Sequence, residues 1–557
     1  MKLIECVPNF SEGRNQSIID EIIAPIKDSA DVHLLDVDPG YDTNRTVVTF
    51  IGEPESVIAV AFKCIEIASN LIDMSKHSGE HPRMGATDVC PLIPLQNVSM
   101  KECINYSKTL ASKVGRELNI PIFLYENSSK SKFRSNLSDI RKGEYEGMKV
   151  KLKDPKWRSD YGPKEFNDKS GTTAIGAREF LIAYNVNLNT FDRKIATDIA
   201  LDIRESGRAK RDAEGKIIRD DNGKIIKKKG KFKFCKAVGW YIDEYNQAQV
   251  SINLTNYKKT SIHKVFEEVR KQARKRGVRV TGSEIVGLVP LQAMIDSGKY
   301  YLGKQRYPLG IPQQDIVQNA IQSLGLSDIS KFDQNDKIIE YKINSNDNSF
   351  KKLKMDDFLN VLSRGTPTPG GGSISALAGS LGAALTSMVA NLSFNKKSTS
   401  QEINRYNQIG LECQKLKDSL LDLVDKDSKS YDLVIDAIRL PKKTDKDKKR
   451  RLQEIEKATI HAADIPMQIL ELSIQLMKKT LLISEIGNKN SITDSGVAGY
   501  LIHSAGHGAS LNVLINIKTI NSKIEKEYHS KIDYYIKDLD DLFLKLKNNV
   551  DSILNND

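Results

Sequence analysis

Paired cysteines, unbroken apolar runs and clustered aromatics are all scarce in this chain of 557 residues. Its cysteines (Cys6, Cys64, Cys90, Cys103, Cys235 and Cys413) form no CxxC pair, which argues against a disulfide frame or zinc ribbon and for reduced thiols. No apolar run reaches the roughly 20 residues that span a bilayer, so no membrane partner is expected. Met1-Lys-Leu-Ile-Glu-Cys-Val-Pro lacks the charged-then-apolar order of a signal peptide, and a cytoplasmic location is expected. The most basic stretch offers only Phe232 and Phe234 for base stacking.

Hydrophobic residues make up 39% and charged residues 28%, a globular composition with length for about three domains. Lys and Arg outnumber Asp and Glu by 84 to 72, a net charge of +12. That balance suggests an anionic partner, either nucleic acid or a poly-acidic small molecule. Much of the surplus is local to Lys210 through Lys236, where repeated Gly-Lys-Ile-Ile pieces read as an exposed β-hairpin or mobile arm.

Chemistry concentrates at Lys76-His77-Ser78-Gly79-Glu80-His81-Pro82-Arg83-Met84-Gly85-Ala86-Thr87-Asp88. Gly79, Pro82 and Gly85 make it a shaped loop between a helix-like run and the strand-like Val89 to Pro94. His77, Glu80 and His81 match an inverted zincin pattern, which would make a metallohydrolase. Zinc binding of that kind needs helical geometry, which Gly79 and Pro82 oppose. The favoured reading is a general acid–base histidine, because imidazole titrates nearest neutrality.

From the N-terminus, strands are expected at Leu3 to Val7, Val32 to Val37, Arg45 to Ile51 and Val89 to Ile93. Helices are expected at Gln16 to Ile26 and Glu55 to Ile72, giving the split βαβ order of a ferredoxin-like domain. A helix from Met100 and a strand from Ile120 extend it. The order returns after Phe180: a strand from Leu181, a helix capped by Thr190, strands from Val238 and Gln249, a helix from Ile262 and a strand from Val278. Tyr161 to Arg178, between the copies, reads as either an interdomain linker or a ligand-lining loop.

The expected fold is thus an α/β (α+β) half of two ferredoxin-like subdomains, residues 1–179 and 180–330, then a linker at 331–350 and an all-α bundle at 351–557. Lys337 to Lys342 reads as a short strand, followed by a polar break from Asn344 to Ser349. The bundle opens with Gly370-Gly371-Gly372-Ser373, a glycine run feeding a small-residue helix whose bare N–H groups would suit an anion. Ala376, Gly379, Ala383 and Ser387 would let a neighbouring helix approach closely. Farther on, the stripe Ile409, Cys413, Leu416, Leu420, Leu423 continues through Asp427 to Tyr431, Val434 and Ile438. It places Asp427 on the buried face and Asp425, about 200° around the helix, off it. A carboxylate among packing residues is either a site or a structural ion pair. His503 and His507 stand one turn apart without an evident third ligand and read as polar interface residues.

Several long motifs resemble the formiminotransferase-cyclodeaminase family over nearly the whole chain. Glu5-Cys-Val-Pro-Asn-Phe-Ser-Glu-Gly13, Leu35-Asp-Val-Asp38, Thr43-Asn-Arg-Thr46 and Lys76 to Asp88 are similar to its transferase N-subdomain. Val238-Gly-Trp-Tyr and Gly282-Ser-Glu-Ile-Val-Gly-Leu-Val-Pro290 are similar to its C-subdomain. Pro369-Gly-Gly-Gly-Ser373, Leu423-Val-Asp-Lys-Asp427, Arg439-Leu-Pro-Lys442 and Gly487-Asn488 are similar to its cyclodeaminase. The basic arm near residues 208 to 233 is longer than in the family's animal members.

The resemblance implies transfer of a formimino group from N-formimino-L-glutamate to N5 of tetrahydrofolate, then cyclisation to 5,10-methenyltetrahydrofolate with loss of ammonia, in histidine degradation. It implies His81 as the catalytic histidine, with Asp38 orienting its imidazole, and Asp427 as the cyclodeaminase aspartate. Gly162, Pro163, Lys164, Glu165, Phe166, Asn167, Asp168, Lys169, Ser170 and Gly171 match the family's folate-binding stretch. Arg83 would hold a glutamate carboxylate, and Gly370 to Ser373 the pterin or its anionic tail. Polyglutamylated tetrahydrofolate is the expected co-substrate, a homo-octameric ring of dimers the expected assembly, and neither a metal nor nucleic acid is expected. The rival classes are a basic nucleic-acid-binding protein and the metallohydrolase on His77, Glu80 and His81.

Overall fold

A computed structural model describes residues 2–41, 43–79, 81–243, 245–343, 349–395, 398–518, 520 and 522–555. Glu80 and the stretch expected as a polar break, apart from Ser349, lie outside them. The chain divides into an α/β unit, Met1–Ala293 with Leu324–Ser345, and a helical unit, Met294–Ser323 with Asn346–Asp557. The chain therefore passes between units more than once. Only the last passage carries the composition change read from the sequence.

In the α/β unit the first sheet is built on Leu3–Cys6 and Asn9–Phe10, a strand broken at Val7 and Pro8. Both pieces pair antiparallel with Arg45–Gly52 on one side and Thr87–Gln96 on the other. Val32–Gly40 pairs the outer edge of Arg45–Gly52, while helices Gln16–Lys27 and Pro54–Leu71 make the crossovers. Thr173–Ala177 and Ile122–Glu126 extend the sheet in parallel. The second sheet repeats the same order with Cys235–Ile242, Gln247–Leu254, Ile182–Leu188 and Val280–Val286, all antiparallel. Two ferredoxin-like sheets are what the alternating and helical periods predict. Burial accounts for it, since the inward residues Ile4, Phe50, Ile65 and Leu92 are fully covered.

Some local expectations are corrected. The helix Arg193–Ile203 is capped by Asp192, whose carboxylate accepts from Lys194 N–H, whereas Thr190 Oγ1, outside the helix, accepts from Asp192 N–H. Lys337 to Lys342 is not a strand but two short helices, Gln334–Lys337 and Ile339–Ile343, started by the Asp333 cap. Apolar runs of that length carry either reading. Helices Leu291–Lys304 and Gln313–Leu324 were not anticipated. The basic arm is hairpin-like: Arg208–Ala209 pairs Lys227–Lys228, and Arg211↔Ile217 and Arg219↔Ile225 bridge across two Asp-initiated turns.

The helical unit packs Gly371–Leu392 against Ser400–Arg439, Asp445–Ile486 and Ile492–Ile517. Ala376, Gly379, Ala383 and Ser387 are buried as expected, with Gly379 facing Leu420 and Ala505. By length and composition this one helix is apolar enough to cross a membrane, against the expectation of no such run, and 61% of that window is buried in the bundle. Its serines and threonines interrupt the apolar run without adding charge, and several donate to backbone carbonyls.

Candidate active sites

In the α/β unit a cleft of about 570 Å³ is lined from both sheets, with His81, Arg45, Arg141, Arg178 and Lys236 facing Glu126 and Glu179. Four cations against two carboxylates give it a positive bias. His81 Nδ1 lies 2.7 Å from the Pro82 carbonyl and 3.2 Å from Arg45 Nη1. A carbonyl only accepts, so the shorter contact calls for the proton on Nδ1 and a lone pair on Nε2, with Arg45 Nη1, itself a donor, left unbonded to the ring. Burial, with the Arg45 charge, holds the His81 pKa below the ordinary imidazole value. At neutral pH the ring is therefore an available base.

Behind His81 stands an ion network. Arg45 and Arg141 each reach Asp88 Oδ2 at 2.6 Å, and Asp88 is fully buried. Asp88 Oδ1 accepts from Met84 N–H, and Arg45 Nε also donates to Asn9 Oδ1 at 3.0 Å. Two guanidinium groups on one carboxylate leave one net positive charge, and Arg141 Nε is without a hydrogen-bond partner. Arg45 stands in a motif already singled out, Arg178 ends the stretch read as a linker or ligand-lining loop, and Lys236 ends the basic stretch, but nothing in the sequence marked Arg141.

Several expected roles are not met. Asp38 does not orient His81; it pairs with Val47 in the sheet and lines a second cleft of about 590 Å³, which shares Asn9, Arg178 and Leu181 with the first. The Pro82 carbonyl takes the place foreseen for it. Arg83 is not open to a substrate carboxylate. Its donors go to Glu144, to both oxygens of Glu146, and to His77 Nδ1 and carbonyl. His77 is equally committed, since Nε2 meets the Asn44 carbonyl at 2.9 Å while Nδ1 accepts from Arg83. With both nitrogens occupied it cannot join His81 on zinc, which removes the basis of the metallohydrolase reading.

None of Gly162, Pro163, Lys164, Glu165, Phe166, Asn167, Asp168, Lys169, Ser170 and Gly171 lines either cleft. Ser170 and Gly171 brace the loop that carries His81. Gly171 (φ 68°) bridges Gly85, a left-handed conformation and close approach that suit glycine, while Asn167 Oδ1 accepts from Lys169 and Ser170 N–H. Lys169 Nζ ties the stretch to the Asn70 carbonyl.

In the helical unit Asp427 sits at the N-terminus of Gly371–Leu392, whose cap is Gly370. Ser373 Oγ lies 3.0 Å from Asp427 Oδ2, and a Cβ on Gly372 would run into the carboxylate. Asn512, on Ile492–Ile517, approaches Gly371. The glycine turn thus meets Asp427. Burial raises the Asp427 pKa, partly opposed by its hydrogen bonds from Ser373.

The register around Asp427 needs correction. Asp427 is half-buried, whereas Asp425, expected outside, is the more buried at 8% exposed. Asp425 Oδ1 accepts from Phe350 N–H at 2.7 Å, because the turn Phe350–Lys352 covers that side of the helix. Tyr431 and Ile438, expected to continue the buried stripe, are 40% and 44% exposed. Helical periodicity identifies one packed face and cannot announce a distant segment covering another. Gly487 and Asn488 stand at the far end of the glycine-led helix, with Asn488 N–H donating to Ser393 Oγ. His503 and His507 find a common partner in Asp540, a third candidate ligand unseen in the sequence.

The family description "Formiminotransferase domain, N-terminal subdomain" matches residues 3–178, "Formiminotransferase domain" residues 183–344, and "Formiminotransferase-cyclodeaminase" residues 354–534. The formimidoyltransferase-cyclodeaminase of Dictyostelium discoideum is 42% identical, with 93% of this chain and 92% of that protein covered. The mouse protein of the same name is 38% identical over 94% of each chain. A glutamate formimidoyltransferase of Streptococcus pyogenes is 44% identical over 54% of this chain and 93% of its own.

Proposed function

Because this chain belongs to the formimidoyltransferase-cyclodeaminase family, we propose that it joins two folate reactions, one in each unit. The α/β unit transfers the formimino group of N-formimino-L-glutamate to N5 of tetrahydrofolate. The helical unit closes the product to 5,10-methenyltetrahydrofolate and releases ammonia. The observation that carries this reading is one available acid–base group per unit: His81 with a free Nε2, and Asp427 with a raised pKa at a helix N-terminus.

In the first step N5 attacks the formimino carbon and gives its proton to His81 Nε2, which returns it to the departing glutamate nitrogen. The positive bias from Arg45, Arg141, Arg178 and Lys236 suits the glutamate carboxylates. In the second step N10 attacks the same carbon and loses a proton while the departing nitrogen gains one. A single carboxyl serves both transfers, and a raised pKa makes its protonated form accessible. The net charge of +12 suits polyglutamylated folate. A homo-octamer, as a ring of dimers, completes the reading, with the exposed Tyr431, Leu433 and Ile438 as apolar surface for assembly.

Purified protein given N-formimino-L-glutamate and tetrahydrofolate should build up methenyl-folate absorbance and ammonia in equal amounts. Neither product appearing would refute the reading. The relatives do not favour the nucleic-acid alternative; in the basic arm Arg208 pairs with Asp198 and Asp202, and Lys231 with Glu268.

A further inference from the structure

The last two helices of the bundle hold a cluster that neither reaction uses. His503 and His507 lie one turn apart on Ile492–Ile517, and Asp540 faces them from Ser522–Leu554. His503 Nε2 is 2.7 Å and His507 Nε2 2.8 Å from the same oxygen, Asp540 Oδ1. The candidate ligand atoms all lie within 4.8 Å of one another. The rings are held in place: their centroids are 4.4 Å apart, and Phe543 stacks on His503 at 4.4 Å and 27°. Gly508 and Asn512 point elsewhere, towards Ser375 and Gly371, so the cluster occupies a face of the helix turned away from Asp427.

We propose that His503, His507 and Asp540 bind a divalent transition-metal ion of the zinc class, which clips the C-terminal helix to the bundle. Two imidazoles four residues apart on a helix, with a carboxylate from a second helix, supply three zinc ligands and leave the fourth position to water. Magnesium and calcium ask for a shell of oxygens, which this donor set does not offer. Without the ion, both rings donate Nε2–H to the shared carboxylate oxygen. With it, each neutral ring carries its single proton on Nδ1 and presents Nε2 to the metal. Small shifts of the three side chains separate, there, what now converges on one oxygen.

The test uses the full-length chain, freed of metal with a chelator and then titrated with zinc or cobalt(II). The expected result is one ion per chain by calorimetry and elemental analysis, tetrahedral cobalt absorption, a zinc-dependent rise in Tm, and no comparable response to magnesium. Separate His507→Gln and Asp540→Asn variants should lose the cobalt spectrum and the Tm response. Metal-free, they should melt close to the metal-free parent and keep both activities. No stoichiometric ion on the parent, or an ion and spectrum that survive both variants, would overturn the proposal. Because folding and activity are read separately, failure here leaves the two folate reactions untouched.

Discussion

His81 stands in a cleft whose charge is gathered from segments far apart in sequence, whereas Asp427 is held mainly by the first turn of a single neighbouring helix. Arg45, Asp88 and Arg141 form a three-member ion network around a buried carboxylate, and their arrangement depends on the sheet pairing that brings the segments together. Asp427 needs no cation among its contacts; Ser373 and the bare N–H groups after Gly370 are what meet it. Burial shifts both centres; guanidinium charge adds to it at His81, and hydrogen bonds at a helix end oppose it at Asp427. Substitutions should respond accordingly.

The sharpest separation comes from His81→Ala, which should lower formimino transfer by roughly 10²–10⁴-fold while cyclisation of supplied 5-formiminotetrahydrofolate persists. His77→Ala, which breaks only packing hydrogen bonds, should cost far less; equal losses for both would mean the two histidines act together. Next in size, Asp427→Asn should block methenyl-folate formation and let 5-formiminotetrahydrofolate accumulate. Asp425→Asn keeps an acceptor for Phe350 N–H and should cyclise nearly normally. The reverse pattern would move the second centre to Asp425.

Gly372→Ala probes the helix-end account directly. Its methyl displaces the Asp427 carboxylate, so cyclisation should fall on the order of 10²-fold with transfer unchanged. A normal rate would show that Asp427 is not held by that turn. A smaller effect separates two C-terminal fragments, of which the longer adds Met294–Ser323 of the helical unit together with Leu324–Ser345. Ser387, Asn391 and Gln414 all donate to the Gly310 carbonyl, so residues 346–557 should melt below residues 294–557, at about 1 kcal/mol per lost bond. Equal melting would detach Met294–Ser323 from the bundle.

An effect on stability alone belongs to Glu5, whose carboxyl burial raises from 4.5 to about 7 despite the opposing Arg178 charge. A raised folded-state pKa means the native state holds the proton more tightly. Its contribution to stability is therefore full below about pH 4.5 and lost as pH rises through about 7. The Tm of Glu5→Gln relative to the parent should accordingly rise between about pH 5 and about pH 8. A difference that does not change with pH would mean that Glu5 is ionised throughout.

By itself, the sequence determined many of the elements and their order. Alternation marked the strands of both sheets except Thr173–Ala177, which lay in a stretch read as linker or loop; helical periods marked several of the longer helices, and the glycine run marked where an anion-friendly helix end would form. It also marked the loop of His77 and His81 and the helix of Asp427 as local anomalies, and the family resemblance chose His81 and Asp427 within them. Only the tertiary structure decided who meets whom. Arg83 looked available until Glu144 and Glu146 came against it, Asp38 until the sheet carried it to another cleft, and Asp425 exposed until Phe350 covered it. Asp540 joined two histidines from a helix more than thirty residues on. Periodicity records which side of an element is apolar, since burial acts on each residue through its own side chain. A charged group's partners are set by chain crossings of any length, and these leave no mark on its neighbours in sequence.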